Sequence, residues 1–403
     1  MIADLHAHYP MRVISDMDPE TTARLMKQPG PTLRDRIQAL ILRFANRVDN
    51  YPTWDGTYRI TPETLREGGV GLAMSVLLSP FDEFDLDTHY AAPPEPGYFP
   101  RLIALLEAVE QEVATHDRSQ LRLVHNRAEL DAAVADGATA LVHCVEGGFH
   151  LGDNDEEIAA NCAELAGRGV GYVTVAHLVF RQVATNANAF PFLPDGIFDF
   201  VFPQRGKDRL TPRGEAVVRG LVENRILIDL SHMDPGGIRE TFALLDEVDP
   251  SGEMPVVSTH AGYRFGKQQY MCDEEILLQI KRRKGVVGLI MAQHQLNDGI
   301  RKKETTTLEE SLEVICKHID KIVEVTGGFE QIAIGTDFDG FIKPSMGGLE
   351  DAGDLALLEA ALIDRYGREN AERITCKNAL GVLQRLWPES PGGSPSPSVP
   401  PSP

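Results

Sequence analysis

Six apolar runs of this sequence end in residues that bind metals or move protons: His6 with His8, Glu146, His177, His232, His260 and Asp337. A lone histidine after an apolar run usually serves structure, so the repetition is what points to a shared site. In Asp4-Leu5-His6-Ala7-His8 the side chains of an extended strand alternate, which sends both imidazoles to one face. Such a pair is a two-ligand hook suited to zinc and other borderline divalent ions. Glu146 precedes Gly147-Gly148, where the chain can turn sharply, and its two oxygens can bridge two cations. His143 falls on the opposite strand face and is expected outside the ligand set. His232, ending Ile228-Asp229-Leu230-Ser231-His232, and His260, ending Val256-Val257-Ser258-Thr259-His260, are the expected ligands of a second ion. Asp337 stands in Ile334-Gly335-Thr336-Asp337-Phe338-Asp339-Gly340; beside two cations it stays ionised and can pass a proton from water to a departing amine. Asp339 shares its face, so one of the pair would catalyse while the other holds the loop.

Gathering residues from so many runs requires a fold that brings strand ends together. About eight apolar runs alternate with amphipathic segments: 2–8, 71–79, 138–146, 171–177, 226–232, 255–260, 285–291 and 332–339. Continuous apolar strands separated by helices predict a parallel sheet, and this number predicts a closed (β/α)8 TIM barrel with its site at the strand C-termini. Thr61-Pro62, Thr211-Pro212 and Asp234-Pro235 each place a capping residue before a proline suited to the first helical position. An open doubly wound sheet is the alternative, but no glycine-rich phosphate fingerprint follows an early strand. Two insertions, Asp16–Pro62 and Arg181–Arg209, are expected to decorate the barrel. Phe190, Phe192, Phe198, Phe200 and Phe202 in the second would either wall a substrate pocket or pack the loop.

Composition narrows the partners. Sixty acidic residues against 39 Lys and Arg give a net charge of −21, which disfavours nucleic acid and anionic membranes. No apolar stretch approaches a bilayer span, and the N-terminus lacks a signal-peptide layout, so a cytoplasmic protein is the expectation. Five scattered cysteines without a CxxC pair suggest buried thiols. Residues 1–389 are expected to form the barrel, and the Pro/Ser-rich stretch 390–403 to be disordered.

Several motifs together carry a family resemblance. Leu210-Thr211-Pro212-Arg213-Gly214, Ile226–His232, Val145-Glu146-Gly147-Gly148 and Gly335–Gly340 make the chain similar to the membrane (renal) dipeptidases, peptidase family M19. The resemblance implies a zinc-dependent dipeptidase with two divalent metal ions, most simply Zn2+. Glu146 would bridge them, His6 and His8 would hold one, and His232 with His260 the other. It further implies that His177 touches the scissile carbonyl or tetrahedral intermediate and that Asp337 carries the proton. The substrate would be a small molecule, a dipeptide or related amide, with homodimer formation left open. Two departures stand out. His8 occupies the position of a family aspartate, and Gln268-Gln269-Tyr270 stands where the family has an Arg-Asn pair that grips the dipeptide carboxylate. Arg264 is the candidate replacement. Weighed against dipeptide hydrolysis are an amidohydrolase acting on a lactam, lactone, cyclic amide or N-acyl amino acid, and a catalytically silent metal-binding barrel. Many related barrels bridge their metals with a carboxylated lysine, but Tyr172–His177 contains none, which favours a glutamate bridge.

Overall fold

The computed structural model describes residues 1–13, 58–79, 83, 91–190, 193–204, 209–340 and 344–387. Most of the first expected insertion, Phe192 and the Pro/Ser-rich tail lie outside the described residues. Among the described residues nine parallel strands form the sheet: β1 (Ile2–Ala7), β2 (Val70–Leu77), β3 (Leu121–Leu123), β4 (Thr139–Glu146), β5 (Tyr172–Thr174), β6 (Leu227–Asp229), β7 (Val256–Ala261), β8 (Val286–Leu289) and β9 (Ile332–Ile334). Strand β2 pairs with both β1 and β4, and β9 with β1, so eight strands close into a ring. Helices such as Asp155–Gly167, Pro212–Glu223 and Leu308–Thr326 run between strands. The architecture is the (β/α)8 TIM barrel. The short β3, which pairs only with the start of β4, had no clear apolar signal.

Local chemistry explains why the elements start where they do. Thr61, Thr211 and Asp234 each accept a backbone N–H three residues on, with proline in the first helical turn. Along β1 the two-residue period separates two environments. Asp4 and His6 reach polar groups inside the ring, while Ala3 and Leu5 belong to an apolar layer that includes Ala379, Val382 and Leu383 of the helix Asn378–Leu386. All five cysteines are buried and free. Among the described residues no helix is long and apolar enough to cross a membrane.

Three histidines outside the strand-end set, His143 and His318 buried and His294 half-buried, bear on stability. Desolvation holds His143 down at about 3, with His125 and Arg168 adding to it, and holds His294 and His318 at about 4. His318 is locked neutral, since Nδ1 accepts from the Tyr263 amide and Nε2 donates to the Leu296 carbonyl. Below about pH 6.5 the unfolded chain takes up protons that the native protein refuses. Their contribution to stability is therefore full above that pH and should fall as pH drops toward about 4, by up to ~1.4 kcal/mol per pH unit for each histidine. Urea unfolding midpoints that stay constant from pH 7 to pH 4.5 would show that these rings are protonated in the native state.

Candidate metal centre

The hydrogen-bonded strands are shorter than the apolar runs, and the reason lies in the backbone of the site. His6 and His260 lie within β1 and β7, and Glu146 is the last residue of β4, but His8, His177, His232 and Asp337 lie beyond their strands. Beyond the strand ends, His232, Asp337 and Asp339 adopt left-handed φ angles of 65°, 59° and 61°, which no extended strand has and which cost energy for side chains other than glycine. Neighbours hold them there. The Asp337 amide donates to the His6 carbonyl at 2.9 Å, and the Ala187 amide to the His232 carbonyl at 2.6 Å. Gly147, at φ 103°, makes the sharp turn after Glu146. Gly340 leaves room for the Asp337 carboxylate, since a Cβ there would sit 1.9 Å from its Oδ1.

Glu146 lies at the centre of five imidazoles. Its Oε1 is 3.3 Å from His6 Nε2, 3.2 Å from His232 Nε2 and 3.6 Å from His260 Nε2; its Oε2 is 3.3 Å from His177 Nε2 and 3.7 Å from His8 Nε2. Asp337 closes the other side, with Oδ1 3.0 Å from His8 Nε2. All seven side chains are buried. Their ligand atoms form three overlapping groups, each within 4.8 Å: His6, His8 and Asp337; His6, Glu146 and His260; Glu146, His177 and His232. His177 thus stands as close to the carboxylate as the ring nitrogens expected to ligate.

The donor set fits divalent cations. Ring nitrogens face one another at 2.9 Å between His232 and His260 and at 3.2 Å between His6 and His8, while the buried Oε2 of Glu146 has no hydrogen-bond partner among the described residues. Converging lone pairs of this kind, on imidazole and carboxylate, suit zinc. The electrostatics already lean on Glu146. Burial opposes its charge, yet His177 and His6 hold the carboxyl well below the usual range. Burial likewise opposes charge on His177, but the carboxylates of Glu146 and Glu83 prevail and raise it to about 9.

Several partners were not legible in the sequence. Glu83 is fully buried; one oxygen accepts from His177 Nδ1 and the other from the Val179 amide at 2.8 Å, which orients the ring. Tyr270 lies edge-on to His232, with its hydroxyl 3.5 Å from His232 Nε2. Only the period-two reading of β1 and the Gln-Gln-Tyr departure hinted at what surrounds the cluster.

Other expected residues lie elsewhere. The Asp339 carboxylate accepts from the Arg59 and Ile60 amides at 2.9 and 2.8 Å and so anchors the entry to the helix Pro62–Glu67. His143 faces outward, 4.0 Å from Glu110. Arg264 donates to the carbonyls of Met271 and Gln269 and to Asp273. It also lines a cavity of about 660 Å³ with Asp195, Arg209, Asp234 and Gln269. Phe190, Phe198 and Phe202 pack on one another, with Phe202 also lining that cavity, whereas Phe200 is 81% exposed.

Comparison with known proteins adds to this geometry. Residues 56–387 match the profile described as membrane dipeptidase, peptidase family M19. Dipeptidase tcpJ of Claviceps purpurea (strain 20.1) is 24% identical over 219 residues, covering 54% of this chain and 45% of that protein. Dipeptidase ataJ of Aspergillus terreus (strain NIH 2624 / FGSC A1156) is 27% identical over 162 residues, or 40% of this chain and 36% of that one. The matches thus span less than half the length of these two relatives. Among solved structures, a metallopeptidase from Rhodobacter sphaeroides, liganded with a phosphinate mimic of the dipeptide L-Ala-D-Ala, superposes with a TM-score of 0.67 at 21% identity, covering 96% of this chain and 99% of that one. The probable dipeptidase PvdM from Pseudomonas aeruginosa gives 0.63 at 15% identity, covering 86% and 98%. At these identities the likeness speaks for the fold.

Proposed function

The chain belongs to the membrane dipeptidase family, peptidase family M19, and from that premise we propose that it hydrolyses the amide bond of dipeptides with two divalent ions, zinc by the chemistry of the donors. The observation that carries this reading is the approach of five imidazole nitrogens to the single carboxylate of Glu146, with Asp337 beside them. In the assignment we favour, Glu146 would be shared by the two ions, His6 and His8 would hold one, and His232 with His260 the other. When bound, the ions supply Lewis-acid activation of water and of the amide carbonyl. Asp337 takes the proton released during attack and delivers it to the departing nitrogen. His177, oriented through Nδ1 by Glu83, presents Nε2 to the carbonyl oxygen and steadies the charge that develops there.

One observation favours a second reading within the same chemistry. Where relatives would place a carboxylate clamp, Tyr270 brings a neutral hydroxyl to the cluster, and the Arg264 guanidinium is tied to its own loop. A bidentate charged contact is strong and directional, so without one, plain dipeptides should be poorer substrates than N-acyl amino acids, cyclic amides or lactams. The discriminating test is a panel of L,L- and L,D-dipeptides beside those compounds, run on protein reconstituted with zinc and assayed for metal content. A preference for free-carboxylate dipeptides that Arg264→Ala abolishes would make Arg264 the clamp and remove this second reading. Hydrolysis of no amide at full metal occupancy would overturn both.

His8 offers a separate check on the ligand assignment. Its neutral ring leaves the site one negative charge poorer than an aspartate would. His8→Asp should keep metal bound and move the acidic limb of the pH–rate profile to higher pH, because added negative charge makes the activated water less acidic. An unmoved limb would remove His8 from the ligand set.

A further inference from the structure

A histidine can offer Nε2 to a cation only if its proton resides on Nδ1, so something must fix that tautomer. His177, assigned above to the substrate carbonyl rather than to a cation, has Glu83 at Nδ1. Among the described residues, His8 and His232 have no hydrogen-bond partner at Nδ1. For His6 and His260 the Nδ1 atoms converge on one group, the Thr259 hydroxyl, at 3.0 and 2.9 Å. We propose that Thr259, polarised by the buried Asp229 carboxylate, is a positioning residue that sets the metal-binding tautomer of both histidines at once. The proposal rests on the metal-site reading above, in which these two rings serve different ions.

Counting donors and acceptors leaves little freedom. Asp229 is fully buried at the end of β6, and its Oδ1 accepts from the amides of Ser231 and Thr259 at 3.0 and 2.9 Å and from the Ser231 hydroxyl at 2.8 Å. Its Oδ2 accepts from the hydroxyls of Thr174 at 2.6 Å and Thr259 at 2.7 Å. A hydroxyl has one proton and two lone pairs. The Thr259 proton goes to Asp229, so its two lone pairs can only accept, one N–H from each ring. Tyr172 introduces the rival arrangement, since its hydroxyl lies 2.8 Å from His6 Nδ1 and could donate to it. That would set a bare Nδ1 lone pair against the Thr259 lone pair at 3.0 Å. With the proton on Nδ1, by contrast, the Thr259 and Tyr172 oxygens both face it as acceptors, and the opposition of lone pairs between Thr259 and the ring is relieved.

The same reasoning predicts an effect from a nearly isosteric change one residue further away. In Asp229→Asn the amide oxygen would take the place of Oδ1, where two backbone N–H groups point, and the NH2 group would face Thr174 and Thr259. Thr259 would then accept from Asn and turn its own proton toward the rings, driving His6 or His260 to the tautomer protonated on Nε2, which binds no metal.

The test uses zinc-stripped protein and two measurements, histidine ring tautomers by 15N NMR and zinc affinity by competition with a chromophoric chelator. His6 and His260 of the unmodified protein should both be protonated on Nδ1 before any metal is added. Thr259→Val should weaken zinc binding by about 10–100-fold, the range for losing such a supporting group. Thr259→Ser should restore it, and Asp229→Asn should weaken it at least as much while moving a ring to the Nε2-protonated form. Thermal melts separate these effects from unfolding. Rings protonated on Nε2 alone in the unmodified protein, or folded Thr259→Val and Asp229→Asn variants that bind zinc like the parent, would overturn the proposal. Failure of the parent to bind zinc at all, with the Nδ1 tautomers present, would instead strike the metal-site reading.

Discussion

Glu146→Ala should release at least one of the two ions and lower hydrolysis by roughly 10³-fold or more, the factor that corresponds to losing several kcal/mol of metal-based transition-state stabilisation. The expectation follows from geometry, because Glu146 alone reaches all five imidazole nitrogens, three through Oε1 and two through Oε2. Removing any one histidine leaves the other ring nitrogens grouped around a carboxylate, whereas removing Glu146 takes away the carboxylate shared by all five rings and leaves Asp337 beside His6 and His8. Glu146→Gln keeps the shape, so its metal content separates loss of charge from loss of packing. The measurement is zinc per protomer after reconstitution and dialysis, alongside the rate on the preferred amide. A Glu146→Ala protein that retains both ions and its rate would dismantle the bridged site.

The second large effect distinguishes catalysis from metal binding at Asp337. Asparagine matches aspartate in shape and can still hydrogen-bond, but it carries no proton between water and a leaving nitrogen. Asp337→Asn should leave folding and zinc content nearly intact, lower kcat by roughly 10²-fold or more and barely change KM. Asp339→Asn is the matched control. Its carboxylate accepts the Arg59 and Ile60 amides, so the change should lower the melting temperature while kcat stays close to that of the parent. Were Asp337→Asn active and Asp339→Asn dead yet fully metallated, the roles of the two carboxylates would be exchanged.

Taken by itself, the sequence determined the barrel and the polar residues that gather at one end of it. Both signals are local. An apolar run ended by His, Glu or Asp marks a strand C-terminus, and the two-residue period brings His6 and His8 together without knowledge of any neighbour. The threonine and aspartate caps before proline are local in the same sense and are present as such. Tertiary structure decided how those side chains are oriented and held. Glu83 meets His177 from 94 residues away, out of a stretch with no periodic pattern to mark it. Tyr270 reaches His232 through a loop whose composition identified only a missing arginine. Arg264 bonds its own loop and lines a cavity beside it, a placement that no local pattern marks. Asp337 and Asp339 share residue type and nominal face, yet left-handed turns aim one at the histidines and the other at backbone amides. Strand periodicity depends on backbone geometry repeated along one segment, so it is written in the order of residues. The choice of hydrogen-bond partner depends on which strands become neighbours when the ring closes and on the turns that follow them, and those distances exist only in the folded chain.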